Sequence, residues 1–206
     1  MLVQAEPTRA PAFASLGYPG TLAGSACGLN SAGLAFVGDS LPFRPESGVP
    51  KNFALRALLG CRSLADARSV MHRKPRLASH AVLCVSAGER AALAIESGPR
   101  ITVEEDIGGD YVHANHAHSP RLLDAGHRPS RDSYVRQAAL GAAQEKVRSR
   151  SLVAAFGALR HASRSRRDHF TLAAVVMDAA AGRMYVQERG RRTVIFAVPA
   201  VRAKSV

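Results

Sequence analysis

The chain has 206 residues, of which 47% are hydrophobic, a length and composition that suit a single domain with a sizeable core. Its 28 Lys and Arg residues against 16 Asp and Glu give a formal net charge of +12. No apolar run is long enough to span a bilayer, and the first residues lack the basic start and apolar centre of a signal peptide. The sequence therefore predicts a cytoplasmic protein without a membrane segment.

The positive charge alone is a non-specific indication of nucleic-acid binding. The basic residues concentrate in 146–169 and near the C-terminus, and Phe156 is the one aromatic residue among those of 146–169. Single-strand binding needs aromatic stacking platforms, which this pattern does not offer. Arg164, Arg166 and Arg167 are interpreted as a solvated face. We therefore expect nucleic acid not to be a partner.

The first part of the chain predicts short strands followed by two helices. Apolar runs separated by Gly, Ser and Asn predict strands near 12–16, 23–27 and 33–37, with Gly28 and Asn30-Ser31 in a turn. Residues 51–61 suit a helix that packs one face through Phe53, Leu55, Leu58 and Leu59. A second helix follows Ser63 as N-cap, with Asp66 at the third helical position.

The second part predicts a meander, a helical region and a final hairpin. Strands are predicted at 79–87, 89–99, 100–106, 110–116 and 193–201, a helical region at 130–155, and a hairpin at 169–190 that turns at Ala181-Gly182. This order indicates an α+β fold with helices packed on antiparallel sheets, in one domain that spans 1–206.

The stretch YVHANHAHSP, residues 111–120, places His113, Asn115, His116 and His118 close together. Two imidazoles at such spacing can bind a metal, although no third ligand stands at a familiar spacing. A polar strand end leading into a loop explains the same residues. Glu96 is interpreted as a structural carboxylate.

The three cysteines, Cys27, Cys61 and Cys84, are an odd number without a CxxC pair, which argues against a disulfide framework and a cysteine zinc site. Cys27 is expected to be a small buried residue. A nucleophilic pair of Cys27 with His113 or His116 stays open as an alternative.

Four stretches in order, GLNSAGLA, SGVPKNFALRALL, LAIESGP and YVHANH, resemble the acyl-coenzyme A:6-aminopenicillanic acid acyltransferase family, whose members include isopenicillin-N acyltransferases. The resemblance covers about residues 10–198. It implies an N-terminal nucleophile hydrolase, with a four-layer αββα sandwich and a cysteine that attacks an amide or thioester. It also implies a small-molecule acyl substrate and neither a metal nor another cofactor.

The resemblance also assigns residues. The family's H-T-N-H motif matches 113–116, so Asn115 is expected to donate in the oxyanion hole, with His113 and His116 supporting the strand end. Ala114 stands where the family usually has threonine. The Ser-Arg pair that the family carries before a late strand is only roughly echoed between Arg164 and Asp168.

The nucleophilic cysteine of the family falls upstream of Met1 in this match. The chain is therefore expected to represent the C-terminal two-thirds of such an enzyme, a partial sandwich without the strands that carry the nucleophile. It is expected to be inactive alone, with a complementary N-terminal chain as one partner. The alternative is a non-catalytic binding or interaction protein that uses a remnant of the fold.

Overall fold

A computed structural model describes residues 1–73, 77–124, 129–148, 151–163, 171–188 and 190–198. Its elements, in chain order, are β1 (Leu2–Ala5), β2 (Phe13–Leu16), β3 (Cys27–Asn30), β4 (Leu34–Ser40), α1 (Lys51–Leu58), α2 (Leu64–Met71), β5 (His80–Ser86), β6 (Ala91–Ser97), β7 (Thr102–Ile107), α3 (Pro120–Asp124), α4 (Arg131–Val147), α5 (Leu152–Ser163), β8 (Ala173–Asp178), β9 (Arg183–Glu188) and β10 (Thr193–Ala197). None of the helices in these ranges is both long and apolar enough to cross a membrane.

Seven strands, β1 to β7, form one antiparallel sheet in chain order. Helices α1 and α2 connect β4 to β5 and pack on one face of this sheet. Because side chains alternate along a strand, Phe36 and Cys84 lie in the core beneath these helices, whereas Ala35 and Leu29 lie on the opposite face.

A second sheet, in the order β10-β9-β8, packs on that opposite face. Met184 and Val186 of β9 lie in one core with Leu29 and Ala35 of the large sheet. Helix α5 packs against β8, and α4 packs against α5. The layers therefore follow the order helix, sheet, sheet, helix, and the predicted α+β sandwich is confirmed.

Several local predictions are confirmed by the structure. Both early helices form, and the Ser63 hydroxyl accepts a hydrogen bond from the Asp66 backbone N–H at 3.0 Å, as expected of an N-cap. The final hairpin turns at Ala181-Gly182, where Gly182 has a φ of +61°. A positive φ is the conformation that glycine adopts without steric cost.

Other local predictions are wrong. Residues 110–116 form no strand, because β7 ends at Ile107 and the chain then runs as an irregular loop. The predicted strand at 23–27 lies later, at Cys27–Asn30, and the predicted helix at 130–155 is two helices, with α4 ending at Val147. Phe53 is 60% exposed. It precedes Leu55 by two positions, which is a rotation of about 200° around the helix axis, so it faces away from the side that Leu55 buries.

Candidate active site

The loop at 111–119 lies against the ends of β4 and β6, and His113 is the residue that joins it to both strands. His113 Nδ1 lies 3.1 Å from Asp39 Oδ2, and His113 Nε2 lies 3.0 Å from Glu96 Oε1. The side chains of His113 and Glu96 are 9% and 7% exposed, whereas that of Asp39 is 37% exposed. One imidazole thus bridges a buried carboxylate and a half-exposed one.

The charges of this cluster are set by burial and by its hydrogen bonds. Burial lowers the pKa of His113, but the hydrogen bonds to Asp39 and Glu96 and the charges of both outweigh it and raise that pKa to about 9. Burial raises the pKa of Glu96, and its bonds from His113, His118 N–H and Ser119 N–H outweigh this and lower it. At neutral pH His113 is therefore an imidazolium between two carboxylates.

Glu96 also fixes the path of the loop backbone. Its Oε1 accepts the backbone N–H of His118 at 2.6 Å, and its Oε2 accepts that of Ser119 at 2.9 Å. A buried carboxylate with three donors is fully compensated for its lost hydration. The sequence prediction that Glu96 is a structural carboxylate agrees with these contacts.

Asn115 lies on the same loop and is held through both ends of its amide. Its Nδ2 donates to the Ser40 carbonyl at 3.0 Å, and its Oδ1 accepts from Arg136 Nη2 at 2.9 Å. Ser40 directly follows Asp39, so the candidate oxyanion donor and the His113 cluster share the end of β4. Arg136 is a site residue that sequence reasoning missed, because it lies 21 positions away on α4.

The other two histidines of the stretch point toward α4. His116 is buried, its Nδ1 lies 2.8 Å from Ser133 Oγ, and its ring centroid lies 4.1 Å from that of Tyr134. His118 Nε2 donates to Gln137 Oε1 at 2.9 Å. The predicted supporting role of His113 and His116 stays a prediction, but both residues connect the loop to its neighbours.

Glu96, His113 and His118 also offer a candidate metal site among the described residues. One ligand atom from each lies within 4.8 Å of the others. Both ring nitrogens of His113 are already bonded to carboxylates, and the protonated ring has no lone pair for a metal. A metal would have to displace that proton, so the geometry favours the hydrogen-bonded cluster.

The three cysteines lie in environments that hold their thiols protonated. All three are buried. Burial raises the pKa of Cys27 and Cys61 to about 11 and that of Cys84 to about 12. The charge of Asp66 adds to this in Cys61, and the neighbouring Cys61 sulfur adds to it in Cys84. Because the thiolate is the reactive form, the raised pKa values disfavour reaction of these thiols at neutral pH.

A cavity of about 680 Å³ opens beside the His113 cluster, between the large sheet, β8 and helices α4 and α5. Its walls are mainly apolar, and Asp39, Tyr111 and His113 form a polar end. Burial and the negative charges of Glu96, Glu105 and Asp39 raise the pKa of Tyr111, so its hydroxyl stays protonated. Arg164 to Asp168, the predicted echo of a family motif, lie outside the described residues.

One comparison with known proteins identifies a family, and another identifies a fold. The family model described as acyl-coenzyme A:6-aminopenicillanic acid acyl-transferase matches residues 1–193. A search of curated proteins finds no match. A mutant of conjugated bile acid hydrolase from Clostridium perfringens superposes with a TM-score of 0.63 at 10% identity, covering 91% of this chain and 77% of that one. A second variant of the same hydrolase gives 0.65 at 9% identity, with the same coverage.

Proposed function

Because the chain belongs to the acyl-coenzyme A:6-aminopenicillanic acid acyl-transferase family, which has the N-terminal nucleophile hydrolase fold, we propose that it takes part in acyl transfer from, or hydrolysis of, an amide or thioester. In such a reaction a nucleophile attacks the acyl carbon, and hydrogen-bond donors stabilise the oxyanion that forms. In this proposal Asn115 is that donor.

The proposal depends on the hydrogen bonding of the Asn115 amide. Its nitrogen carries two hydrogens, and among the described residues Ser40 accepts one of them. The second hydrogen is then available to an oxyanion at the end of β4. A neutral amide suits this role, because it stabilises negative charge without titrating. His113 and His116 support it by tying the loop to β4, β6 and α4.

The apolar cavity beside His113 supports a small-molecule acyl substrate. Its walls include Val37, Leu83, Leu140 and Leu159, which suit a hydrocarbon group, while the polar end adjoins the segment that holds Asn115. An acyl chain in the cavity would direct its carbonyl toward that end.

We further propose that the nucleophile comes from outside these 206 residues, from a complementary N-terminal segment or chain, and that the chain is inactive alone. Two observations support this. Cys27, Cys61 and Cys84 are buried thiols. Among the described strands β8 pairs only with β9, so its other edge is available to a further strand.

The first measurement is the intact mass and N-terminal sequence of the native protein from its own cells. The second compares the form so identified with its Asn115→Ala variant on a panel of acyl-coenzyme A thioesters and N-acyl amines. We expect the variant to lose activity about a hundredfold or more. Asn52→Ala, at the start of α1, is the matched control. If Asn115→Ala keeps full activity, the oxyanion assignment is wrong.

A non-catalytic binding protein on the same fold is the second candidate, and the buried cysteines favour it. It predicts that the native form begins at Met1 or Leu2, has no activity on the panel, and still binds an acyl ligand in the cavity. Leu83→Lys, at the cavity wall, would then abolish binding, whereas Asn115→Ala would not.

A further inference from the structure

The orientation of the Asn115 side chain is fixed by two partners of opposite character. Arg136 only donates, so the atom that faces it is the amide oxygen. The Ser40 carbonyl only accepts, so the atom that faces it is the amide nitrogen. A flip of the amide would break both bonds. The remaining N–H therefore has one direction in which to point.

Arg136 is itself immobilised on α4. Its Nε donates to Asp132 Oδ2 at 2.8 Å, one turn earlier on the same helix, and the two side chains are 18% and 24% exposed. The guanidinium thus bonds Asp132 through Nε and Asn115 through Nη2 at the same time. A lysine has a single nitrogen and cannot reproduce this fork.

The same face of α4 holds the rest of the loop. Arg136 and Gln137 follow Ser133 by three and four residues, so all three lie on one side of the helix. Ser133 pairs with His116, and Gln137 accepts from His118. Helix α4 therefore contacts the loop through three side-chain hydrogen bonds, and the one to Asn115 comes from the guanidinium of Arg136.

We infer that Arg136 is the positioning residue of the oxyanion donor, acting through Asn115 rather than on the substrate. This inference rests on the proposed function of Asn115. The positive charge at Oδ1 draws electron density away from Nδ2, which makes the free N–H a stronger donor. The two fixed bonds also mean that the donor needs no reorientation when the oxyanion forms.

The first test is made on the 206-residue chain and needs no activity. The side-chain amide signals of Asn115 are identified in an NMR spectrum by their loss in Asn115→Ala. In Arg136→Met we expect these signals to shift, and their hydrogen exchange to become about tenfold faster, as the loss of a charge-assisted hydrogen bond implies. Arg136→Lys is expected to change these signals in the same way as Arg136→Met. Arg131→Met, which removes an exposed arginine of the same helix, is expected to leave them unchanged.

The second test uses the active form identified from cells. Arg136→Met is expected to lower kcat about tenfold with little change in KM, and Asn115→Ala with Arg136→Met to be no worse than Asn115→Ala alone. Unchanged Asn115 signals in Arg136→Met overturn the inference, and so does a raised KM with unchanged kcat, which indicates substrate contact. If Asn115→Ala is fully active while Arg136→Met still moves the signals, the proposed function of Asn115 has failed instead, and with it the catalytic part of the inference.

Discussion

His113 makes the stability of the fold depend on pH in a defined direction. Its folded pKa, about 9, lies above the ordinary histidine value of 6.5, so its stabilisation is complete below pH 6.5 and is lost as the pH rises through 9. The pKa of Glu96 is lowered, so its contribution is lost as the pH falls below the ordinary value of 4.5. We expect this cluster to stabilise the chain most between these two ordinary values, as urea unfolding at a series of pH values will measure.

His113→Gln is the variant that tests this cluster. It leaves Glu96 buried with a weaker partner, and breaking a buried ion pair costs about 3 kcal/mol of unfolding free energy. The decrease in unfolding free energy between pH 6.5 and 9 should also become smaller in this variant. The control is His72→Gln, whose ring is 46% exposed beside Glu104 and should matter by less than about 1 kcal/mol. Equal effects of the two variants would contradict the assignment.

The metal alternative makes a different prediction for the same residues. Since both ring nitrogens of His113 are bonded to carboxylates, we expect zinc at micromolar concentration to leave the melting temperature unchanged. Metal analysis of the purified protein provides the second measurement. A stoichiometric zinc that disappears in His118→Ala would instead establish Glu96, His113 and His118 as ligands.

Among the secondary-structure elements, the junction of β3, β4 and α1 depends on Asn30. This buried side chain donates to the carbonyls of Leu59 and Cys61 at 3.2 and 2.7 Å, and its Oδ1 accepts the N–H groups of Ala32 and Leu34. All four hydrogen-bonding positions of the amide are therefore used. It ties the chain at the end of α1 to the turn between two strands.

We expect Asn30→Ala to lower the unfolding free energy by about 3 kcal/mol or more, because it leaves several buried backbone groups without partners. Asn30→Asp should be nearly as damaging, since a carboxylate cannot donate to two carbonyls. Asn52→Ala, at the start of α1, is the matched control and should cost less than about 1 kcal/mol. Denaturant unfolding measures all three, and a small effect at Asn30 would show that water replaces the lost bonds.

The same junction shows how far the sequence predicts the fold. The turn predicted at Gly28 and Asn30-Ser31 is wrong for Gly28 and Asn30, which belong to β3; the turn begins at Ser31, and Gly33, with a φ of +79°, adopts the left-handed conformation. Gly28 lies within β3 instead, where a Cβ would lie 2.4 Å from Leu59 Cδ2. Local propensity identifies a glycine, whereas only tertiary packing determines whether it serves a turn or a close approach.

The candidate site was predictable only in part, because the sequence indicates local structure but not tertiary contacts. Asn115 and His113 are found from a short motif, since the motif lies on one loop. Their partners Asp39, Glu96 and Arg136 come from β4, β6 and α4, and the spacing of these residues in the sequence carries no signal of contact. The strand wrongly predicted at 110–116 has the same cause, because side-chain bonds rather than a ladder fix that backbone.

At the scale of the whole molecule, the two sheets differ in size and leave apolar surface uncovered. The large sheet has seven strands and the small one three. Val37 and Val85 lie on the same face of the large sheet as Ala35, which is the face toward the small sheet. They are nevertheless 42% and 38% exposed. Both line cavities that residues of β8 also line, and β8 is an edge strand among the described strands. Such a face and such an edge together favour association.

This asymmetry predicts the behaviour of the isolated chain. We expect the 206-residue chain to self-associate and to bind a hydrophobic dye, as light scattering and fluorescence will measure. Val37→Lys combined with Val85→Lys should reduce both signals, because charged side chains on an open sheet face oppose pairing with another chain. Val153→Lys on α5 is the control, since Val153 is 78% exposed and belongs to a helix rather than to the large sheet. A monomeric wild-type chain that binds no dye would instead show that the α4–α5 pair already covers this face.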